Sequence, residues 1–319
     1  MIAEQPYVKK IISVVKFALL PITFGFIFYK LFYAYDLDRL WHETTVVWNV
    51  KSIILLFLTL VLMVFNWLLE TLKWRLLVQK NENISFFEAM QGVLSGVALN
   101  MITPNQLGDF VGRVIHLKKM DKVRGTLITV IGHTAQVIMT AGFGLCALIW
   151  FLYFNQTITE QQSNTAYLIL LVMVVITFAA YLNMAWLSKL TITTKIKPYL
   201  DVFKLYKRSE LVQVLMISFL RYIIFLAQYY CLLLLFNVDV TFAQGMACII
   251  ATLCAQSFVP SFILVEVGMR GASALWFFGM FTAVVTPVLL TAYSLWIINL
   301  MIPGLVGLVF ILKWRQVNK

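Results

Sequence analysis

Long apolar runs separated by short polar, basic stretches dominate the chain. A membrane-crossing helix needs about 20 consecutive apolar residues. Six segments meet that length: 11–34, 51–71, 125–154, 166–187, 211–236 and 284–312. Two further apolar regions, 85–120 and 241–281, are each broken near the middle by a proline and a group of polar residues. The first break runs through Asn100, Pro104, Asn105, Gln106, Gly108, Asp109 and Arg113. The second runs through Gln256, Pro260, Glu266, Gly268 and Arg270. A proline without an N–H stops a helix and a charged side chain is costly in hydrocarbon. Both regions therefore predict broken helical hairpins buried among other helices, where irregular backbone at membrane depth is tolerated. The arm 107–117 is too short for a ~30 Å core; both arms of the second hairpin are long enough to cross.

The order of these segments repeats. Two spans, an interrupted hairpin with its proline at 104 or 260, and a closing span from 125 or 284 make up each of two halves, 11–154 and 166–312. Three crossings per half place the halves in opposite orientations. The expected fold is an all-α polytopic membrane protein, one integral membrane domain of two inverted repeats. Each repeat has three transmembrane helices and one re-entrant hairpin (85–120 and 241–281). Transporters built this way hold their sites where broken helices meet near the midplane.

Composition agrees. Hydrophobic residues make up 61% of 319 and charged residues 12%, which excludes an ordinary soluble domain and a disordered chain. The net charge of +11 need not signal nucleic acid, because it collects where membrane topology predicts. With the N-terminus in the cytoplasm, the basic stretches 9–16, 73–80, 118–124, 189–208 and 313–319 all fall on that side. The outer side receives Lys30, Arg39 and Lys51. This is the positive-inside bias, and both termini are expected in the cytoplasm. Lys9, Lys10 and Lys16 before an apolar run imitate a signal peptide, but no small-residue cleavage site follows, so 11–34 reads as a retained span. Cys146, Cys231, Cys248 and Cys254 lie in apolar runs and read as buried, unpaired thiols. No metal-ligand cluster or cofactor motif appears.

The candidate chemistry sits at the breaks. Asp109 and Arg113 are one helical turn apart and can pair, as can Glu266 and Arg270. Pairing lowers the cost of either charge in a low-dielectric site. The alternative is a pair that merely pins its hairpin. If the two pairs face each other, the arginines can engage phosphate oxygens while the carboxylates orient them or bind an amine or a proton. Arg221 lies deep in a span and is expected to pair with Asp109 or Glu266, or to bind substrate phosphate. Asn100, Gln106 and Gln256 flank the breaks and can satisfy freed backbone or ligand. Pro104, Gly108, Pro260 and Gly268 are the structural breaks, with Gly92, Gly96, Gly108, Gly112 and Gly268 allowing tight packing or hinging. His133 reads as a structural hydrogen bond, with a proton relay as the alternative, and His116 as reaching the basic interface. Glu70, Lys73 and Arg75 read as interfacial anchors with Trp67 and Trp74. The basic segment 188–210, with Tyr199, Phe203 and Tyr206, reads as an amphipathic surface strip on anionic lipid.

Leu72, Lys73, Trp74 and Arg75, then Ser85, Phe86, Phe87, Glu88 and Ala89, then Asn100, Pro104, Gly108, Asp109 and Arg113 together resemble the lysylphosphatidylglycerol synthase transmembrane, or flippase-like, family. Asp109 stands where that pattern has Glu, keeping the charge and shortening its reach. Pro260, Glu266 and Gly268 resemble the family's second proline–glycine–glutamate signature, with residues 261–265 less glycine-rich. The resemblance covers nearly the whole chain. It implies an integral protein of the bacterial plasma (inner) membrane that moves or binds a lipid. Bifunctional members also carry a soluble aminoacyl-transferase domain, which is not seen here, so aminoacyl transfer is not implied. The expected partner is an anionic or zwitterionic phospholipid or a polyprenyl-phosphate, with no nucleic acid; the sequence says nothing of oligomers. The leading expectation is a lipid translocase or lipid-binding transporter without enzyme activity. A membrane-embedded enzyme acting on a lipid-linked phosphate and a non-transporting scaffold are the alternatives.

Overall fold

The computed structural model describes residues 49–101, 103, 107–189, 197–257 and 263–317. The predicted span 11–34, Gln106, and both prolines of the breaks, Pro104 and Pro260, lie outside these residues. Every regular element among the described residues is helical. Five helical stretches are long and apolar enough to cross a membrane: α1 (Val50–Val78), α4 (Lys122–Phe154), α5 (Glu160–Leu182), α6 (Arg208–Leu235) and Thr286–Lys313. They correspond to the five predicted spans within the described residues. The last consists of α9 (Thr286–Trp296), a π-helical segment at Ile297–Met301 and α10 (Ile302–Val317). The interrupted regions are helical pairs, as expected: α2 (Phe86–Asn100) with α3 (Leu107–Val114), and α7 (Phe242–Ser257) with α8 (Ile263–Phe278).

Local chemistry sets the helix ends. Ser85 and Glu88 form a capping box that starts α2, and Thr159 and Gln162 form another that starts α5. Asp121 accepts from the Val123 and Arg124 amides to start α4, satisfying donors that the helix leaves open. Asn237 takes a left-handed conformation (φ 52°) after α6, a backbone state that Asn adopts more readily than most residues and that commonly closes helices. Within the spans, hydroxyls turn back onto their own helix. Thr59 donates to the Leu55 carbonyl at 2.8 Å and Thr71 to Trp67 at 2.9 Å, so they enter apolar surroundings without an open donor.

The described residues fall into two compact units. One comprises residues up to Leu60 together with Gln228–Ile297, and the other Val61–Ala227 together with residues from Ile298. In the first unit α7 packs on α8, and α8 on α9. Thr291 donates to the Leu232 and Pro287 carbonyls, and the Tyr229 and Phe278 rings stack at 6.2 Å. In the second unit α2 packs on α3 and α10, α3 on α4, and α4 on α5. Apolar side chains remain on the outward faces, such as Ile53, Ile54 and Phe57 on α1 and Leu168, Leu171, Val175 and Ile176 on α5. A water-soluble protein would bury such a belt, whereas lipid solvates it.

The α2–α3 hairpin is closed at its base. Glu82, just before α2, accepts from the Lys118, Lys119 and Met120 amides beyond α3, each at 2.9 Å. Burial alone raises the Glu82 carboxyl, but these three amides outweigh it and hold the group below its ordinary range. The two ends of the hairpin are thereby tied together. At 8 residues, α3 is about 12 Å long, well under the ~30 Å of a hydrocarbon core. Gly96 and Gly112 face each other where the two arms cross: a Cβ on Gly112 would strike the Gly96 backbone, and one on Gly96 the Asp109 carboxylate.

Two sequence expectations are corrected here. Cys146 is exposed on the outer face of α4, whereas Cys231, Cys248 and Cys254 are buried as expected. Phe203 and Tyr206 are buried rather than laid on lipid. Tyr206 donates its hydroxyl to the Leu77 carbonyl at 2.8 Å, so its segment closes the end of α1 instead of lying flat on a surface.

Candidate functional site: a buried charge cluster and a second ion pair

The site in the second unit begins with Asp109 and Arg113, one turn apart on α3. Arg113 donates from Nε to both Asp109 oxygens, at 3.0 and 2.9 Å. Both side chains are buried. Asp109 lies in the first turn of α3 and Arg113 in the last, the arrangement that the helix dipole favours. Gly96 leaves the room that Asp109 occupies. The predicted pair is therefore formed, with the guanidinium plane against a carboxylate.

The hub is a residue that the sequence placed at the membrane surface. Glu70 on α1 is 4% exposed and binds three cations. Its Oε1 accepts from Arg113 Nη1 at 2.8 Å, and its Oε2 from Lys73 Nζ at 2.7 Å and from Arg221 Nη1. Lys73 is 2% exposed and reaches the Gly132 carbonyl on α4 at 3.3 Å. Trp74 is buried, with the Arg113 guanidinium 5.5 Å from its ring centroid. Glu70, Lys73 and Trp74 are thus internal groups, which corrects their reading as interfacial anchors. The signal was in the sequence. Asn66, Glu70 and Lys73 fall at i, i+4 and i+7 on α1, a single polar stripe along an otherwise apolar helix.

Arg221 is also corrected. Its carboxylate partner is Glu70, whereas the sequence offered Asp109 or Glu266. It donates in addition to the Asn66 side chain at 2.9 Å and to Gln136 Oε1 at 3.2 Å, and it lies over Trp67, 5.9 Å from the ring centroid. The stripe on α1 places the Glu70 carboxylate within reach of all three cations at once, and their mutual repulsion is offset by the charge they share.

His133 on α4 places Nε2 2.6 Å from Asp109 Oδ2, and its ring lies 5.4 Å from that of Phe110. A carboxylate at this distance only accepts, so Nε2 carries the hydrogen. The expected hydrogen bond is present. Gln136, which the sequence reading did not single out, lies one turn further along the same face. His116 bonds the Ser95 hydroxyl on α2 at 2.8 Å; it holds the hairpin arms together instead of reaching an interface.

At the tip of the hairpin, the Gly108 amide donates to Thr103 Oγ1 at 2.7 Å, and Thr103 in turn donates to the Leu99 carbonyl at 2.9 Å. A Cβ on Gly108 would meet the Leu99 carbonyl, so glycine permits the close turn that the sequence predicts. Asn100 has its Oδ1 buried with no partner among the described residues.

The first unit holds the other predicted pair. Arg270 Nη2 donates to Glu266 Oε1 at 2.5 Å, and Nη1 to Gln256 Oε1 at 3.4 Å. Gln256 donates to Ser273 Oγ at 3.2 Å. Arg270 Nε is buried with no partner among the described residues. Gly268 is buried within α8. Among the described residues, no group of three or more His, Cys, Asp or Glu side chains is placed to hold a metal.

No curated protein and no solved structure matches the chain. The family model described as the lysylphosphatidylglycerol synthase TM region matches residues 13–307. With nearly its whole length matched and five helices able to cross a bilayer, the chain belongs to that family of integral membrane proteins associated with lipid handling.

Proposed function

We propose that this protein binds the phosphate-bearing headgroup of a membrane lipid at the Glu70–Asp109–Arg113–Arg221 cluster and carries it across the bilayer while the acyl chains stay in lipid. The observation that carries this reading is a group of buried guanidinium, ammonium and carboxylate groups inside a chain that is otherwise apolar. Such charges are expensive in a membrane and mark substrate or ion pathways. Arginine suits the oxygens of a phosphodiester, which it can grip with two parallel hydrogen bonds. The cluster is built against a short broken hairpin, the kind of element that forms transporter sites. In the other unit, Glu266, Arg270 and Gln256 form a separate polar group whose arginine is likewise suited to lipid phosphate. The lipid is an anionic or zwitterionic phospholipid or a polyprenyl-phosphate. The protein resides in a bacterial plasma membrane with both ends in the cytoplasm, and two inverted halves rock to expose the headgroup on either side.

Reconstitution tests this. The wild-type chain in proteoliposomes is expected to flip fluorescent phospholipid, with Arg113→Ala and Arg270→Ala each lowering the rate at least about tenfold, the loss of one charged hydrogen bond. No flipping by the wild type across anionic, zwitterionic and polyprenyl-phosphate lipids would overturn the reading. A new lipid product in the same vesicles points to a membrane-embedded enzyme. Neither flipping nor product points to a scaffold.

A further inference from the structure

The charges of the buried cluster do not cancel. Lys73, Arg113 and Arg221 face only Glu70 and Asp109, and Glu70 alone serves all three cations. With His133 neutral, the group keeps a surplus positive charge among the described residues. A buried surplus charge is unfavourable until a counter-charge arrives.

The surplus lies toward an open edge. Lys73 and Arg113 are almost fully covered, whereas the Arg221 side chain is 14% exposed and that of His133 33%. Gln136 joins them on the His133 face of α4 and accepts from Arg221 through Oε1, which leaves its amide donors directed elsewhere. Among the described residues nothing accepts from Arg221 Nη2. Arginine and amide donors beside a titratable ring make a receptor for an oxyanion.

Resting on the headgroup reading above, we propose that this edge takes up an oxyanion and a proton together: phosphate-type oxygens dock on Arg221 and Gln136 as His133 accepts a proton at Nδ1. Nε2 is already committed to Asp109, so the added proton goes to the other ring nitrogen. Histidine is the side chain whose ordinary chemistry changes charge between about pH 5 and 8. The charged and titratable groups around it come from each packed element. Asp109 contacts it from α3, and Arg113 binds the same carboxylate. Glu70 on α1 joins through Arg113, and Lys73 bonds the Gly132 carbonyl next to it in the chain. Arg221 reaches it from α6 through Gln136. Tyr181 on α5 donates to the neighbouring Ile131 carbonyl at 3.3 Å. Asp109 is the one anion in contact with the ring, and Arg113 already draws on its charge. A second proton on His133 therefore adds to an existing surplus, and an anion at Arg221 offsets it. Each ligand raises the affinity of the other, by the same factor. In a transporter that linkage makes the proton the coupling ion for an anionic headgroup.

Calorimetry on the full chain in detergent separates the possibilities. The probes are sulfate, a free oxyanion, and dihexanoylphosphatidylglycerol, a lipid phosphodiester. Both keep a constant charge between about pH 5.5 and pH 8, so any pH dependence belongs to the protein. Affinity is expected to be about tenfold higher at the acid end, within the usual range of coupling between linked sites. Binding heats should vary with buffer ionisation, reporting proton uptake, and His133→Gln should abolish that uptake. The 15N-histidine spectrum of the wild type needs no variant: adding probe at pH 7 should move the His133 Nδ1 signal toward the protonated position. Lipid binding with no proton uptake, or uptake that persists in His133→Gln, overturns the proposal and leaves the headgroup reading standing. Sulfate binding with uptake but no lipid binding supports the proposal and overturns the headgroup reading. Failure of both probes to bind overturns both.

Discussion

The Asp109–Arg113 and Glu266–Arg270 pairs have the same chemistry and spacing, yet they sit in unlike surroundings. Asp109 and Arg113 have side chains 8% and 5% exposed and share a network with Glu70, Lys73, Arg221 and His133. Glu266 and Arg270 are 27% and 18% exposed. Beyond each other, Arg270 has Gln256 for a partner and its Nε has none among the described residues. The lesson is that an i, i+4 acid–arginine pair does not by itself decide its role. Neighbouring helices decide it. The first pair is a member of a buried network whose removal leaves several charges without partners, and the spare donors of that network sit on Arg221 and Gln136, not on the pair itself. The second keeps donor capacity that no described protein group uses.

The largest effect expected is therefore at Glu70. Glu70→Gln leaves Lys73, Arg113 and Arg221 without their shared counter-charge and should cost about 3–5 kcal/mol, the usual loss when one member of a buried ion network is removed. Thermal unfolding in detergent measures it. A loss no greater than that of Arg270→Gln would break the comparison. His133→Gln comes next, at about 1.5–3 kcal/mol for a hydrogen bond to a charged group, and Asp109→Asn should make that substitution nearly neutral in a double-mutant cycle. Arg270→Gln should cost about 1 kcal/mol or less, because its pair is partly exposed and screened. The same substitution should nevertheless slow lipid flipping strongly, a separation of activity from stability that sharpens the contrast between the two pairs.

The smallest effect concerns the clasp at the hairpin base. Glu82 is held below its ordinary range by three amides in the folded protein. A group lowered in this way stabilises the fold above its unfolded-state value, and that contribution is lost as pH falls through the folded-state value. The protection of the Lys118, Lys119 and Met120 amides, taken relative to their intrinsic exchange rate at each pH, should be high at neutral pH and fall in acid, below the usual carboxylate range. Glu82→Gln should show low protection at both. Equal protection in the two proteins at neutral pH would remove the clasp from the account.

Much of the architecture was legible in the chain. Runs of about 20 apolar residues can satisfy their backbone only as helices in lipid, so the five described spans could be read without coordinates. The two broken hairpins announced themselves through glycine, charge and polar residues inside apolar sequence. The pairing of Asp109 with Arg113 and of Glu266 with Arg270 followed from helical spacing alone. Glu70 and Lys73 were harder. Proximity to Arg75 and Lys80 along the chain argued for an interface, while the stripe through Asn66, Glu70 and Lys73 argued for burial, and only packing could arbitrate.

What the sequence determined by itself is local: where helices start, where they break, and which residues share a turn, because those depend on backbone geometry and the solvent's demand for closed hydrogen bonds. Tertiary structure decided which carboxylate each cation found. That choice depends on distances between helices remote in the chain, 151 residues apart for Glu70 and Arg221. Coulomb energy in a poorly polarisable interior varies steeply with those distances, and no local pattern encodes them.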